Sequence, residues 1–256
     1  MWASWGLKNI RFSGGEPTLW EDLPALVANC SADRIAISTN GSADWSLYQE
    51  LVSAGVNDFS ISLDSCCASE GDKMAGGVCG AWEHVIETIR LASKLAYTTV
   101  GMVFTEENVD SAAESVLFAD SLGVSDIRIV PSAQFNQALT QLAGLPDSIL
   151  AKYPVLRYRI QNVRAFRNVR GMEESDCSKC RLALDDMAVV AGKHFPCIIY
   201  LREGGGAIGE VGPRMREERV EWVANHSSHA DPICKEQCLD LCIDYNNKAE
   251  ELGGGV

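Results

Sequence analysis

The chain has 256 residues, of which 46% are hydrophobic and 22% charged, so its composition is that of a globular protein and excludes a disordered chain. The 22 Lys and Arg residues against 35 Asp and Glu give a formal net charge of −13, which argues against a protein that wraps nucleic acid or coats an anionic membrane. No apolar run approaches the ~18 residues of a membrane span, and the first residues lack the hydrophobic stretch of a signal peptide. We therefore expect a soluble, cytoplasmic protein.

Short β-branched runs alternate with helical patterns through the first 130 residues. The predicted strands are 9–13, 34–39, 58–63, 98–104 and 126–130. The predicted helices are 21–30, 44–54, 82–96 and 109–122. This order indicates a parallel sheet with right-handed crossovers, as in a barrel or a doubly wound α/β fold. Both architectures place a functional site at the carboxyl ends of the strands, where the polar segments of this chain also lie.

The strand–helix repeat stops after residue 131. Residues 156–170 contain five arginines and no acidic residue, which indicates either a solvated helix face or a contact surface for an anionic substrate or an adjacent domain. Residues 182–200 predict a hairpin with Ala191-Gly192-Lys193 as its turn. We expect a core domain over residues 1–150, followed by a linker helix and a cysteine-rich domain over residues 151–256.

Six of the ten cysteines crowd the last 80 residues of the chain. Without a secretory signal, thiols spaced two or three residues apart indicate a metal or cluster site before they indicate disulfides. Reduced structural thiols are the alternative. The candidate metal ligands are Cys177, Cys180, Cys197, Cys234, Cys238 and Cys242.

One short segment of the chain, Gly14-Gly15-Glu16-Pro17, follows a predicted strand. Its two glycines allow the backbone to approach a ligand closely, although alone it is equally a tight strand-to-helix turn. It resembles the "GGEP" motif of radical S-adenosylmethionine (radical SAM) enzymes. Three later segments resemble further motifs of that family in the same order: Ser38–Gly41 ("TNG"), Ser60–Ser65 ("SLDS") and Asp126–Pro131, the strand beside adenine.

This resemblance covers about residues 5–135 and implies an α/β fold, a partial (β/α)6 barrel of the TIM type. Enzymes of the family bind S-adenosylmethionine at a [4Fe–4S] cluster, cleave it with one electron and use the resulting 5′-deoxyadenosyl radical to abstract hydrogen from a substrate. The resemblance implies contacts to the methionine amino group from Gly14, Gly15 and Glu16, with Pro17 in the cofactor site as the residue that fixes the glutamate. It also implies a pocket floor at Thr39 and Asn40, contacts to the carboxylate and ribose from Ser62 and Asp64, and an adenine border at Val130 and Ala133.

The family holds its catalytic cluster with a Cys-x3-Cys-x2-Cys loop that precedes the Gly-Gly-Glu-Pro turn. Here 13 residues precede Gly14, and none is a cysteine. We therefore expect a barrel that lacks its first βα unit, and a chain that does not cleave S-adenosylmethionine as it stands.

The cysteine-rich half resembles auxiliary-cluster domains of the same family. Cys180-x11-Gly192-x4-Cys197 is similar to the start of a SPASM/twitch extension. Cys177-x2-Cys180 with the later Cys197 also resembles the C-terminal cluster site of the GTP 3′,8-cyclases of molybdenum cofactor synthesis. Six thiols exceed the four that one [4Fe–4S] cluster needs, so one cluster with spare thiols and two clusters with an open iron both stay open.

Two further expectations concern the last cysteines. Zinc is the competing metal, because His226-x2-His229-x4-Cys234 offers nitrogen and sulfur ligands. On one regular helix, Cys234, Cys238 and Cys242 would span about 12 Å. We therefore predict that two of these three thiols meet the cysteines of the hairpin and that the third lies farther off.

Three functional hypotheses follow. The first is a radical SAM enzyme that modifies a peptide or small molecule, with an auxiliary Fe–S cluster and an electron donor such as a flavodoxin or ferredoxin. The second is a GTP 3′,8-cyclase-like enzyme, because Arg11 and Thr39 match positions that contact GTP in that family; Arg11 is the candidate substrate-binding residue. The third is a non-catalytic metal-binding scaffold.

Overall fold

The computed structural model describes Gly6, residues 8–132 and residues 136–253, excluding the side chains of 136–139. Within these ranges, one parallel sheet has its strands in sequence order: β1 (Asn9–Phe12), β2 (Arg34–Thr39), β3 (Asp58–Ser62), β4 (Tyr97–Phe104) and β5 (Asp126–Pro131). The helices that accompany it are α1 (Leu23–Ala28), α2 (Trp45–Ala54), α3 (Ala68–Met74), α4 (Ala81–Leu95), α5 (Ala112–Ser121), α6 (Asp147–Lys152) and α7 (Pro154–Arg164). No described helix is long and apolar enough to cross a membrane.

The two faces of this sheet differ in chemistry. Ile37, Phe59 and Val100 are fully buried on one face, which the helices cover: Tyr48 of α2 packs edge-on against Phe59 at 5.7 Å between ring centroids. The neighbouring positions along each strand face the other way because side chains alternate. This second face, called the polar sheet face below, carries Arg11, Ser38, Ser60, Gly101 and Arg128.

All five predicted strands of the sheet are confirmed to within one residue at either end. Helix α3 was not predicted, and the reason is that it buries none of its residues and so has no apolar stripe. Residues 109–122 form a short 3-10 turn at Val109–Ser111 before α5, instead of one continuous helix.

The described residues divide into two compact units, one ending at Arg167 and the other starting at Asn168. The division follows α7, which belongs to the first unit. Leu156, Ile160 and Val163 of α7 are buried, and the Val155 N–H donates to Asp126 at 3.2 Å. The predicted basic helix therefore has a buried apolar stripe and packs against the sheet.

The second unit contains a small antiparallel sheet with the order β6 (Ala188–Val190), β7 (Lys193–Phe195) and β8 (Gly209–Glu210). Ala191 and Gly192 both have positive φ, of 49° and 75°, so the hairpin turn has two residues, and Lys193 pairs with Val190 as part of β7. The remaining helices of this unit are α8 (Ile198–Arg202), α9 (Met215–Asn225), α10 (Pro232–Gln237) and α11 (Asp240–Glu251). The hairpin is thus shorter than the predicted 182–200.

Candidate functional site

The turn after β1 is organised by the Glu16 carboxylate. Glu16 precedes a 3-10 turn at Pro17–Leu19, and its Oε1 accepts the backbone N–H of Thr18 at 3.1 Å and the Thr18 hydroxyl at 2.7 Å. Oε2 accepts the backbone N–H of Asn40 at 2.6 Å. Gly14 and Gly15 are exposed, and an added Cβ on either would touch no atom within 4 Å. The surface of this turn is therefore open to a ligand, and Oε2 can accept a second hydrogen bond.

Thr39 supports this turn from the helix-covered side of the sheet. Its hydroxyl donates to Glu16 Oε1 at 2.8 Å, lies 3.3 Å from the Tyr48 hydroxyl and accepts the Gly41 N–H at 3.1 Å. The residue is 4% exposed. Its side chain thus positions Glu16 and is buried away from the polar sheet face, whereas Asn40 is exposed at the end of β2.

The ends of β3 and β5 supply the other sequence-predicted residues. Ser62 is exposed at the last position of β3, and Asp64 Oδ1 accepts the Val103 N–H at 2.6 Å. Burial raises the pKa of Asp64, partly opposed by that hydrogen bond. Val130 is half-buried on β5, and Ala133 lies outside the described residues.

The polar sheet face carries several cationic groups, of which only Arg11 was identified from the sequence. Arg11 donates to the Ser38 hydroxyl at 3.0 Å, and Arg34 pairs with the buried Asp58. Desolvation lowers the pKa of Arg11, and Arg34 lowers it further while Asp58 opposes the change. Arg128 lies across Gly101, where an added Cβ would come within 3.3 Å of its guanidinium. Strand alternation was the signal that could have grouped these side chains.

Five of the six candidate thiols line one cavity in the second unit, together with Met172, Leu182, Pro196, Tyr200, Trp222 and Asn246. These five, called the thiol cavity below, are Cys180, Cys197, Cys234, Cys238 and Cys242. Cys177 does not line it: its Sγ accepts the Lys179 N–H at 3.4 Å and lies 3.8 Å from Glu250.

Cys234, Cys238 and Cys242 do not lie on one regular helix, although their spacing in the sequence fits one. Helix α10 ends at Gln237, Cys238 is extended with φ −58° and ψ 133°, and α11 starts at Asp240. This break turns the chain, so all three thiols face one cavity. All three line the same cavity as Cys180 and Cys197, and that two of them meet these hairpin thiols while the third lies farther off stays a prediction.

Burial controls the protonation of the thiol cavity. Desolvation raises the pKa of Cys180 to about 11 and that of Cys234 to about 12. The Cys238 thiol donates to Cys242, which raises the pKa of Cys238 and lowers that of Cys242. Since a metal is bound by thiolates, loading this cavity with metal must release protons.

A buried arginine, which sequence reasoning missed, joins the cysteine-bearing segments. Arg219 of α9 is 2% exposed and donates to the carbonyls of Ala183 at 2.7 Å, Phe195 at 3.0 Å and Pro196 at 3.2 Å, as well as that of Asp186. Ala183 follows Cys180, and Pro196 precedes Cys197. Arg219 therefore fixes the backbone next to two thiols of the cavity.

The zinc motif predicted from sequence is not assembled as a pair of histidines with Cys234. His229 Nε2 bonds to the Asp176 carbonyl at 2.9 Å, whereas His226 Nε2 lies 3.5 Å from Cys234 Sγ. Asp231, and not His229, is the third possible metal ligand: ligand atoms of His226, Asp231 and Cys234 all lie within 4.8 Å of one another.

The chain is similar to proteins of one family. A profile of the Radical SAM superfamily matches residues 2–119. A GTP 3′,8-cyclase of Helicobacter pylori is 26% identical over 220 residues, which are 76% of this chain and 66% of the relative. Molybdenum cofactor biosynthesis protein 1 of Drosophila melanogaster is 33% identical over 137 residues, 51% of this chain but 24% of the relative. A probable GTP 3′,8-cyclase of Methanococcus vannielii is 33% identical over 254 residues, 90% of this chain and 81% of the relative.

Solved structures share the fold. Streptococcus suis SuiB aligns with a TM-score of 0.56 at 15% identity, covering 85% of this chain and 55% of that one. The structure of anSMEcpe with bound AdoMet aligns with a TM-score of 0.54 at 14% identity, covering 83% of this chain and 66% of that one. At these identities the likeness concerns the fold alone.

Proposed function

The chain belongs to the radical SAM superfamily of enzymes, and we propose that within it this protein is a GTP 3′,8-cyclase-like enzyme acting on a purine nucleotide. The observation that carries the proposal is the extent of the likeness to the M. vannielii relative. It covers 90% of this chain at 33% identity and so includes most of the thiol-bearing unit as well as the sheet. The H. pylori relative, of which this chain spans 66%, is also named a GTP 3′,8-cyclase. The D. melanogaster relative, of which this chain spans 24%, is named for molybdenum cofactor biosynthesis.

The polar sheet face supports a polyanionic substrate. Arg11 stands on β1 next to the Gly14–Glu16 turn, and its guanidinium keeps N–H groups beyond the one given to Ser38. A planar guanidinium suits phosphate oxygens because it donates two parallel hydrogen bonds. The net charge of −13 does not oppose this, because recognition is decided by the local charges of the face.

The residues around the Glu16 turn fit S-adenosylmethionine by their donor and acceptor chemistry. Glu16 Oε2 is an acceptor for an ammonium group, and Ser62 offers an exposed hydroxyl. Asp64, held by the Val103 N–H, has its second oxygen for a ribose hydroxyl. When bound at a reduced [4Fe–4S] cluster, S-adenosylmethionine supplies radical hydrogen abstraction. Thr39 keeps the Glu16 carboxylate in place for that contact.

The thiol cavity fits an auxiliary [4Fe–4S] cluster, because its donors are thiols and a cluster needs four of them. We propose that four of its five cysteines are ligands and that Cys177 is not. The apolar lining from Leu182, Pro196 and Trp222 would exclude water from the sulfurs.

Nucleotide binding to the full chain tests the substrate. Titration calorimetry with GTP, ATP and UTP should give the tightest binding for GTP, and Arg11→Ala should weaken it at least about tenfold, the loss expected for a charged hydrogen bond. Arg90→Ala, on the exposed surface of α4, is the matched control and should bind as the wild type does. Equal binding of all three nucleotides, or of wild type and Arg11→Ala, would contradict the proposal.

A further inference from the structure

A nitrogen, an oxygen and a sulfur donor converge beside the thiol cavity. His226 Nε2 and Cys234 Sγ are 3.5 Å apart, and a carboxylate oxygen of Asp231 lies within 4.8 Å of both. In a tetrahedral zinc site with Zn–N near 2.0–2.1 Å and Zn–S near 2.3 Å, the nitrogen–sulfur edge is about 3.5 Å. These two atoms therefore already have the spacing of metal ligands.

The three donors are held in place by other side chains. The His226 ring stacks on Trp222, with centroids 4.0 Å apart and planes 16° from parallel. Asp231 accepts the Tyr200 hydroxyl at 2.8 Å and the Cys234 N–H at 3.0 Å. Such outer hydrogen bonds orient ligands in metal sites, and here they leave lone pairs on the carboxylate for a cation.

The arithmetic of the thiols leaves Cys234 available. The thiol cavity has five cysteines, and one [4Fe–4S] cluster takes four. Cys180, Cys197, Cys238 and Cys242 complete that set without Cys234, the one cavity thiol with a histidine and a carboxylate beside it. This step rests on the proposed auxiliary cluster, whereas the geometry of the three donors does not.

We propose that His226, Asp231 and Cys234 bind a single divalent cation of the zinc class, separate from the auxiliary cluster. The carboxylate and the thiolate together balance the charge of the ion, and imidazole with thiolate selects zinc over calcium or magnesium. Three protein ligands leave the fourth position for water or another donor. His226 also lines an open cleft with Ile208, Glu218, Glu221 and Asn225, which gives access from solvent.

The test is an anaerobic Co²⁺ titration of the full metal-free chain, followed by displacement with Zn²⁺. The visible d–d bands and the thiolate-to-cobalt charge-transfer band report tetrahedral binding and the number of sulfur ligands. Wild type should bind one Co²⁺ more than His226→Gln and Asp231→Asn, in which the Kd of this ion is raised at least about tenfold, whereas a Co²⁺ held by the other four cavity thiols is common to all three proteins. His229→Gln is the matched control, because His229 lies three residues from His226 but bonds to the Asp176 carbonyl, and it should bind as the wild type does.

Iron analysis after reconstitution with iron and sulfide separates this site from the cluster. His226→Gln, Asp231→Asn and Cys234→Ser should all keep the wild-type iron content while binding one Co²⁺ fewer than the wild type. Loss of iron in Cys234→Ser would assign Cys234 to the cluster and overturn the proposal. Co²⁺ binding unchanged in His226→Gln and Asp231→Asn would also overturn it, because the ion would then be held by cavity thiols. Both results are independent of GTP binding, which tests the proposed function.

Discussion

Glu16 and Asn40, 24 residues apart in the chain, are joined by a 2.6 Å hydrogen bond from the Asn40 N–H to Glu16 Oε2. The bond ties the carboxyl end of β1 to that of β2, and Glu16 Oε1 adds a bond from the Thr39 hydroxyl at 2.8 Å. The two sequence motifs that contain these residues therefore form one structural unit, in which the glutamate that resembles a cofactor ligand also stabilises the sheet edge.

Replacing Glu16 should lower stability as well as ligand binding. Glu16→Ala removes a carboxylate that accepts four hydrogen bonds. The free energy of unfolding should fall by at least about 2–3 kcal/mol, since a single hydrogen bond to a charged group contributes about 1.5–3 kcal/mol. Urea denaturation measures this. Glu50→Ala, on the exposed side of α2, should stay within about 0.5 kcal/mol of wild type. An equally small effect of Glu16→Ala would mean that water replaces these bonds.

Arg219→Lys should destabilise the unit that holds the thiol cavity. The buried guanidinium donates hydrogen bonds to four carbonyls, which a lysine cannot reach together. Unpaired acceptors would therefore remain in the interior and lower the free energy of unfolding by about 3 kcal/mol or more. Thermal unfolding should show an earlier transition, and iron retention after reconstitution should fall. Arg214→Lys, at the exposed start of α9, is the control and should change neither quantity.

Replacing Cys177 and replacing Cys180 should have different effects on the amount of iron that the protein binds. Cys180→Ser removes a thiol of the cavity and should lower the iron bound after reconstitution, whereas Cys177→Ser should keep it. Iron content and the visible absorbance of the cluster measure the difference. Equal iron loss in both variants would show that Cys177 is a ligand and that the segment before Cys180 rearranges on binding.

Asp64→Asn should stabilise the protein near neutral pH. Burial raises the pKa of Asp64 in the folded state, so the folded chain binds a proton more readily than the unfolded chain, and stability is lost as pH rises through the folded pKa. The variant escapes this loss, and its gain over wild type should shrink as pH falls towards the ordinary carboxyl value of about 3.9.

Melting temperatures of Asp64→Asn and of the wild type, measured from about pH 4 upwards, check this sign. Asp44→Asn, at an exposed position before α2 with no side-chain capping bond, is the control and should show no such trend. A gain of Asp64→Asn that is independent of pH would point to packing or hydrogen bonding instead of charge burial.

Much of the fold and part of the candidate site could be predicted from local patterns. The strands follow from short β-branched runs, and β2 was predicted to the residue because Arg34–Thr39 is bounded by polar segments and paired on both sides. Helix α3 could not be predicted because it buries none of its side chains. The hairpin was placed by Gly192, but its two-residue turn depended on the backbone of Ala191 adopting φ 49°.

The sequence by itself determined the α/β class, the order of the strands and the residues whose motifs resemble those of the superfamily, because periodicity and short motifs are local properties of a chain. Only the tertiary structure decided which thiols meet. The break between α10 and α11 at Cys238 brings Cys242 to the same cavity as Cys180. The sequence did not predict this break, because the spacing of the cysteines also fits a regular helix. The same holds for Asp231 beside His226: Tyr200 and the Cys234 N–H fix that carboxylate through contacts that form only once the chain is folded.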